Sequence, residues 1–446
     1  MDKCYKKFGN LISLPYLYTM SIFDEYIHQG EPQKREKGYA WQTAIGLQAV
    51  DGLTPSDYLL DAARKEIEGD LTIEEVEQLI KSYYQSKDTH TPEDDEKQEA
   101  DKASTNIRQI LTEQTFAFSL VGLTSIHRRI FSGIYKFAGK IRDYNITKKE
   151  WVLRGDTVLY VPQTDLRKSI EYDLEQERQF NYSNLDSNTL ISHISNFVSG
   201  LWQIHPFGEG NTRTTAVFTI KYLRSLGFDV TNDLFAKHSW YFRNALVRAN
   251  YQNVKLGVSR NPEFLEKFFR NLLLGEKHEL RNRYMLINPP KEMTPTTTPS
   301  TTPSTTPSTT PSTTPSTTPT TTPTTTPTTT PTTTPTTTPT TTPTTTPTTS
   351  PTTSPLNSTK TSLLPNNENI VRLITAIAHN SMSVKEMIDA VGLKNRENFV
   401  EYSLNPAIKA GFVKMLYPDT PNHPRQKYLL TVKGSVLYNE LKQIIS

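Results

Sequence analysis

Residues 205–213, His-Pro-Phe-Gly-Glu-Gly-Asn-Thr-Arg, lie between two amphipathic stretches and decide how this chain is interpreted. Residues 187–204 and 211–226 both carry apolar side chains at helical spacing, so the nine residues form a loop between two helices. The two glycines let backbone N–H groups approach a ligand closely. The N-terminus of the second helix directs unpaired N–H donors at the same loop. This combination predicts a site for an anion such as a phosphate group.

The polar side chains of the loop suit phosphate chemistry. His205 titrates near neutral pH and can take a proton from an attacking hydroxyl. Glu209 can hold a Mg²⁺ ion that bridges phosphate oxygens. Arg213 can bind one phosphate through two N–H groups. The residue types therefore predict a general base, a metal ligand and a phosphate clamp within nine positions.

The loop also resembles the signature of the Fic (Fido) family, His-x-Phe-x-Asp/Glu-Gly-Asn-Gly-Arg-x-x-Arg. Upstream, residues 134–142 (IYKFAGKIR) resemble the segment that the family places before its target-docking flap. The resemblance implies a mainly α fold, a Fic-type helical bundle whose β-hairpin flap is residues 150–161. The EWVLRGDTVLYV sequence of this segment, β-branched and aromatic on either side of a turn, independently predicts a hairpin.

Most members of this family transfer AMP from ATP to a hydroxyl of a target protein. The resemblance therefore implies a protein adenylyltransferase that modifies a Ser, Thr or Tyr hydroxyl, with His205 as the catalytic base and Glu209 as the Mg²⁺ ligand. The nucleotide-binding residues that it implies are Phe207, Gly208, Gly210, Asn211, Thr212 and Arg213. Backbone groups around residues 148–157 would dock the target protein as an added strand.

Two positions depart from the family pattern. Thr212 stands in place of a glycine, and Ala216 stands in place of the second arginine, which orients the γ-phosphate. Two alternatives therefore stay open: a phosphotransferase of the same family, and a degenerate nucleotide-binding regulator that acts through the C-terminal region.

Residues 34–86 resemble the VbhA-type antitoxin domain that occurs beside or fused to Fic domains. The inhibitory pattern of that domain is Ser/Thr-x-x-x-Glu-Gly, and Leu47, Asp51 and Gly52 occupy the matching positions here. Asp51 is one methylene shorter than glutamate, and Ala216 offers it no charge. We therefore expect this segment to pack on the catalytic block, to lack an ionic partner and to inhibit only weakly; an ordinary helical hairpin is the alternative.

Low-complexity sequence separates the remaining parts of the chain. Residues 294–355 contain only Thr, Pro and Ser, with proline at every fourth position, which forbids helices and central strands and leaves no apolar surface to bury. We predict a disordered linker there and a second, charged linker at 86–101. The predicted catalytic domain is 102–286. Few contacts should cross the long linker, so removal of residues 290–446 should leave activity.

Residues 366–446 predict three helices followed by two strands, the order of a winged helix. They hold ten Lys and Arg against seven Asp and Glu residues, and both a DNA and a protein partner stay open.

The composition of the whole chain excludes several classes of protein. A net charge of +3 gives no general attraction to nucleic acid or anionic membranes. The single cysteine, Cys4, excludes an intramolecular disulfide and a cysteine-rich metal site. No apolar run reaches about 18 residues, so we predict a cytoplasmic protein without a membrane partner.

Overall fold

The computed structural model describes residues 23–87, 91–230, 234–287 and 363–445, most of which are helical. Cys4 and the predicted linker at 294–355 lie outside the described residues.

The N-terminal block begins with helices and one short 3₁₀ turn. In chain order these are α1 Asp24–Gln29, α2 Pro32–Gly46, the turn Leu47–Asp51, α3 Asp57–Glu68 and α4 Ile73–Gln85. A reciprocal cap begins α4: the Glu75 N–H donates to Thr72 Oγ1 (3.2 Å), and the Thr72 N–H donates to Glu75 Oε2 (2.7 Å). The helices enclose a small core of their own around the buried Trp41.

The central block, called the catalytic block after the predicted catalytic domain, is mainly helical, with a long stretch that holds no α-helix between residues 131 and 165. Its helices are α5 Pro92–Thr112, α6 Leu120–Ile130, α7 Leu166–Gln179, α8 Ser187–Ile204, α9 Asn211–Ser225, α10 Leu234–Asn250 and α11 Glu263–Phe269. Every residue of α9 from Asn211 to Leu223 is buried, so α9 is the central helix of the bundle. The predicted mainly α fold is confirmed.

The prediction of a linker at 86–101 was wrong, because α5 begins at Pro92. Thr91 caps this helix by accepting from the Asp94 N–H (3.2 Å). Asp101 is fully buried and accepts hydrogen bonds from the Ser56 N–H (2.8 Å) and the Tyr84 hydroxyl (2.7 Å). Polar contacts to the N-terminal block, and not apolar packing, hold this part of the helix. This explains why the segment contains few apolar side chains.

The predicted β-hairpin at 150–161 has a different structure. Residues Trp151–Leu153 form a 3₁₀ turn, with Val152 and Leu153 buried in the main core. Arg154 and Gly155 follow in left-handed conformations (φ 53° and 93°). The Gly155 N–H donates to the Glu150 carbonyl (3.0 Å), so the chain closes a tight turn where strand pairing was expected.

The C-terminal block has the predicted order of three helical segments and two strands, followed by one further helix; its third segment runs through two short helices joined by the π-turn Val400–Leu404. Its elements are α12 Glu368–Ile377, α13 Val384–Val391, α14 Arg396–Phe399, α15 Asn405–Lys409, β1 Val413–Met415, β2 Tyr428–Leu430 and α16 Val432–Ile445. Strands β1 and β2 pair antiparallel and are the only paired strands within the described ranges.

The C-terminal block packs on the catalytic block, so the expectation of few contacts across the linker was wrong. Both blocks belong to one compact unit with a continuous apolar core. Gly227, just after α9, meets Gly411 so closely that a Cβ on Gly411 would lie 2.1 Å from the Gly227 carbonyl oxygen. On α16, Asn439 Nδ2 donates to the carbonyls of Ser183 and Leu185 (both 2.9 Å).

None of the helices that the structure describes is both long enough and apolar enough to cross a membrane.

Candidate active site

The loop between α8 and α9 is shaped by two left-handed residues and one asparagine. His205 has φ 53° and ψ 58°, and Gly210 has φ 75°. A Cβ on Gly210 would lie 2.2 Å from the ring of Phe131, so only glycine fits. Asn211 Oδ1 accepts from the Phe207 N–H (2.9 Å), and its Nδ2 donates to the Phe207 carbonyl (2.7 Å). The Asn211 amide thus holds the loop in shape, and the predicted anion hole is left to backbone N–H groups.

Phe207, which the resemblance placed among the nucleotide-binding residues, is buried and anchors the loop. Its ring is 1% exposed and stacks on the imidazole of His127, with 3.8 Å between the ring centroids. His127 Nδ1 accepts from the Gly139 N–H (2.8 Å), so Nε2 carries the proton and donates to the Glu209 carbonyl (3.0 Å). Burial lowers the pKa of His127 to about 4, and the ring is therefore neutral near pH 7.

His205 is arranged as a proton acceptor. The ring is 2% exposed and lies beside Tyr160, with 4.3 Å between the centroids. Nδ1 lies 3.3 Å from the Trp202 carbonyl, which can only accept, so Nδ1 carries the proton and Nε2 has the lone pair. Nε2 is buried and has no hydrogen-bond partner among the described residues. Burial, followed by the charge of Lys148, holds the pKa of His205 well below its usual value, so the imidazole is neutral at neutral pH.

Arg142 ties the catalytic loop to the segment beside it. The Arg142 backbone N–H donates to the Pro206 carbonyl (2.9 Å), and its Nε donates to the His205 carbonyl (2.8 Å). Its two terminal nitrogens donate to the carbonyls of Tyr144 (2.5 Å) and Val161 (2.6 Å). One buried side chain therefore fixes the backbone of His205 and both ends of the segment 144–161.

Glu209 carries the exposed carboxylate of the loop. Its side chain is 42% exposed, and Lys148 Nζ lies 3.0 Å from Oε1 and 3.2 Å from Oε2. Oε1 also accepts from the Gly210 N–H (3.1 Å). Partial burial raises the pKa of Glu209, but Lys148 and the Gly210 N–H outweigh this effect, and the pKa lies below its usual value. The group is therefore ionised at neutral pH and able to bind a cation.

A magnesium ion fits Glu209 only together with a phosphate ligand. Within the described residues no group of three or more His, Cys, Asp or Glu side chains is placed to hold a metal. Mg²⁺ commonly uses one or two carboxylates and completes its octahedron with waters and substrate phosphates. A single accessible carboxylate next to the N-terminus of α9 matches that requirement.

Arg213 is completely buried and surrounded by partners. Its guanidinium lies over the ring of Phe131, 4.7 Å from the centroid. Nη1 donates to Gln48 Oε1 (2.9 Å), and Nη2 donates to Glu99 Oε1 (2.6 Å). Nε lies 2.8 Å from Asp51 Oδ2, but its N–H is not directed at that oxygen, so this contact is an ion pair and not a hydrogen bond.

The expectation that Asp51 lacks an ionic partner was therefore wrong. It assumed that the carboxylate needs the arginine that Ala216 replaces, whereas the shorter side chain reaches Arg213. Burial raises the pKa of Asp51, and Arg213 opposes this shift.

Contacts with the main core and with α10 hold the 3₁₀ turn Leu47–Asp51 in place. Leu47 is fully buried in the main core, Gln48 Nε2 donates to the Ala44 carbonyl (2.8 Å), and Gly52 ends the turn with φ 72°. The Ser239 hydroxyl on α10 donates to the Gly46 carbonyl (2.7 Å). The turn therefore rests on the catalytic block and projects Gln48 and Asp51 onto Arg213.

The three remaining positions of the motif differ in their surroundings. Thr212 lies in the first turn of α9, and its Oγ1 accepts from Trp202 Nε1 (3.0 Å), so it occupies the glycine position in a helical conformation. Ala216 is fully buried in the core of the bundle. Gly208 is half-buried, and a Cβ there would lie 2.6 Å from the Tyr144 hydroxyl.

The segment before Glu150 runs as extended chain beside the loop. Residues 145–149 belong to no helix or paired strand, and exposed and half-buried side chains alternate from Ile146 to Lys149. Within the described structure, no backbone hydrogen bond joins residues 146–149 to another segment. An unpaired extended segment of this kind can accept an added strand.

Sequence reasoning missed several residues of the site. Gln48 and Glu99 are polar residues in helical stretches, with no local signal that they meet Arg213. His127 and Arg142 lie far from the loop in sequence and act through backbone contacts. Arg142, in the segment 134–142, and Gln48, in the segment 34–86, lay in stretches that the resemblances had singled out, but neither residue was assigned a role.

Parts of the chain are similar to known proteins. Residues 117–223 match the model of the Fic/DOC family, and residues 368–431 match the model described as the C-terminal domain of filamentation induced by cAMP protein Fic-like. A stretch of 118 residues is 30% identical to the protein adenylyltransferase VbhT of Bartonella schoenbuchensis, and covers 26% of this chain and 23% of that protein. The match thus spans less than a quarter of that relative. The crystal structure of a Fic family protein from Desulfovibrio desulfuricans G20 aligns over 95% of this chain and 97% of that one, with 15% identity and a TM-score of 0.36.

Proposed function

Because residues 117–223 match the model of the Fic/DOC family, we propose that this chain is a protein adenylyltransferase that moves AMP from ATP to a hydroxyl of a target protein. The name of the Bartonella relative, a protein adenylyltransferase, supports the choice of AMP as the transferred group.

The observation that carries the proposal is the unpartnered Nε2 of His205. A buried polar atom without a partner is costly unless a ligand uses it. The Trp202 carbonyl fixes the tautomer that leaves this nitrogen as an acceptor. A substrate hydroxyl is the kind of group that such a nitrogen can deprotonate.

The reaction follows from this arrangement. The target hydroxyl gives its proton to His205 Nε2 while its oxygen forms a bond to the α-phosphorus of ATP. The bond between that phosphorus and the bridging oxygen breaks, and pyrophosphate leaves with the electron pair. Arg213 and the N–H groups at the start of α9 stabilise the negative charge of the phosphates. Extended residues 145–149 hold the target backbone beside His205.

Glu209 would hold a Mg²⁺ ion together with the phosphates, and that ion would neutralise part of their charge. The carboxylate must first give up Lys148, which contacts both of its oxygens.

We further propose that the N-terminal turn inhibits this enzyme. Gln48 and Asp51 contact the guanidinium of Arg213, the group that should bind the phosphates. With these contacts in place, Arg213 has no exposed surface. Glu99 and Phe131 also contact Arg213, but they belong to the catalytic block and position the side chain. ATP would therefore have to displace the turn before it reaches Arg213.

Labelling of proteins in a cell lysate tests the proposed function. The full-length Gln48→Ala/Asp51→Ala variant is incubated with ATP labelled on the α-phosphate and, in parallel, on the γ-phosphate. We expect protein-bound α label and no γ label, and the same variant with His205→Ala should give neither. Label that survives the His205 substitution would contradict the role of His205.

The second candidate is a phosphotransferase of the same family, which the buried Ala216 favours because no cation stands at the position that orients the γ-phosphate. Protein-bound γ label in the same experiment would support this candidate over the first.

For the C-terminal block we propose DNA as the partner. All of its excess positive charge falls on residues 394–427, which carry six Lys and Arg against three Asp and Glu, whereas the rest of the block carries four of each. These residues form α14, α15, β1 and the loop between the two strands. Anisotropy of labelled duplex DNA, measured as salt is raised, tests this: the affinity should fall steeply with salt. A lack of binding at low salt would favour a protein partner.

A further inference from the structure

Four cations surround the candidate active site. Arg142, Lys148 and Arg243 lower the pKa of His205, and Arg213 contacts Asp51. Any of them could contribute to binding a polyphosphate, so the question is which of them the structure leaves able to do so.

Two of the arginines are committed to the protein itself. The guanidinium of Arg142 donates hydrogen bonds to three backbone carbonyls. Arg243 pairs with the carboxylate of Glu150 (2.7 Å), which is fully buried and also accepts from the Tyr160 hydroxyl (3.2 Å). Moving Arg243 to a phosphate would leave a buried carboxylate without its counterion, which is strongly unfavourable.

Lys148 is held differently. Its side chain is 25% exposed, and its carboxylate partner, Glu209, is 42% exposed. Ion pairs with this degree of exposure contribute little to stability, so breaking the pair costs little. Lys148 also lies in the extended segment 145–149, whose backbone makes no hydrogen bonds to other described segments. Its flexible stem can therefore move the ammonium without disturbing the fold.

We propose that Lys148 is a nucleotide-phosphate ligand, the second cation of the site beside Arg213, which Glu209 holds in place until the nucleotide binds. The inference rests on the proposed function, since it takes the phosphates of ATP as the ligand. It also explains how the site can bind phosphates although Ala216 replaces the second arginine of the family pattern. Lys148, in the segment beside the loop, supplies the positive charge that this arginine on α9 would have supplied.

The exchange is chemically reasonable. An ammonium group has three N–H donors, and the Glu209 carboxylate engages only part of this capacity. The β- and γ-phosphates carry more negative charge than a carboxylate, and their oxygens form strong charge-assisted hydrogen bonds. Binding of phosphate by Lys148 would also bring the target-docking segment toward the nucleotide.

Nucleotide affinity of full-length protein tests the proposal. The parent is the Gln48→Ala/Asp51→Ala variant, and ATP is titrated by calorimetry in the presence of EDTA, so that no metal contributes. We expect Lys148→Ala to weaken ATP binding by about tenfold or more, the scale of one lost charge-assisted contact. Lys148→Arg should keep the affinity within about threefold of the parent.

Lys149→Ala is the matched control, because it removes the same charge from the neighbouring, exposed position. It should leave ATP affinity unchanged. Adenosine, which has no phosphate, should bind equally to the parent and to Lys148→Ala, since a purely structural effect would weaken both ligands.

Equal ATP affinity of Lys148→Ala and Lys149→Ala in a parent that binds ATP would overturn the inference and leave the proposed function standing. Equal weakening of ATP and adenosine by Lys148→Ala would also overturn it. A parent that binds no ATP at all, with or without Mg²⁺, would overturn the proposed function itself.

Discussion

His205 combines three local features that prepare it for proton transfer. Its left-handed backbone is held by Arg142, its tautomer by the Trp202 carbonyl, and its ring by Tyr160. Each contact comes from a different part of the chain. The side chain therefore has one orientation before any substrate binds, which reduces the entropy lost on reaching the transition state.

We expect His205→Ala to lower the transfer rate by about 10²- to 10⁴-fold, the usual contribution of a positioned general base. Nucleotide affinity should stay nearly unchanged, since His205 acts on the target hydroxyl. Rate assays and ATP titration on the same preparations measure the two effects. His28→Ala, at an exposed position of α1, is the control and should change neither.

The pH dependence of transfer follows from the lowered pKa of His205. A base with a depressed pKa stays neutral as the pH falls, and activity is lost only when the pH falls through the depressed value. We therefore expect a flat rate between pH 6 and 8 and no inflection near 6.5, the ordinary value for histidine. An inflection near 6.5 in the pH profile would mean that the ring is solvated in the active enzyme.

Asp51 is expected to inhibit strongly, because its carboxylate pairs with a fully buried arginine. Asp51→Asn should raise the transfer rate of the full-length chain by more than about tenfold, because removing one partner of a buried ion pair strongly destabilises the contact. Asp57→Asn, at an exposed carboxylate of the same block, should leave the rate unchanged. Equal rates for the two variants would remove Asp51 from the inhibitory contact.

At this scale the sequence predicted the residues of the loop, but not their neighbours. The spacing of His205, Glu209 and Arg213 is local, so one motif locates all three. The partners of Arg213 come from positions 48, 51 and 99, and only folding brings them together. The family resemblance placed Asn211 among the nucleotide-binding residues, and in the structure its side-chain amide bonds to the backbone of Phe207.

At the scale of elements, polar contacts explain where the pattern of apolar residues did not predict the secondary structure. Apolar periodicity predicted α8 and α9 because these helices bury apolar faces. It missed the start of α5, which is held by a cap at Thr91 and by the buried Asp101. The hairpin at 150–161 was predicted from β-branched residues, but Val152 and Leu153 turn together into the core.

Gly411 tests the packing between α9 and the C-terminal block. Gly411→Ala forces a Cβ against the Gly227 carbonyl and also strains a residue with φ 76°, so we expect a loss of about 2–4 kcal/mol in unfolding free energy. Gly392→Ala is the matched control: φ is 71° there and no atom lies within 4 Å, so about 1 kcal/mol should be lost. Urea unfolding of both variants measures the difference, and equal losses would mean that this contact does not form.

At the scale of the whole molecule, the N-terminal and C-terminal blocks contact opposite ends of the same helix, α9. The N-terminal block places its turn on Arg213 near the start of α9, and the C-terminal block packs against the residues that follow its end. Polar contacts hold the N-terminal block in place, including the buried ion pair of Glu66 with Arg108 (2.5 Å). In the proposed inhibition the turn is therefore supported by a folded block, and ATP would have to compete with that whole arrangement.

The central claim, that this turn occupies the phosphate site, is tested most directly by titrating ATP and Mg²⁺ into the full-length protein and into its Gln48→Ala/Asp51→Ala variant. The account predicts that the variant binds ATP more than about tenfold more tightly, and that adding Arg213→Ala abolishes the gain. Equal affinity of the full-length protein and the variant, or a gain that persists without Arg213, would contradict it.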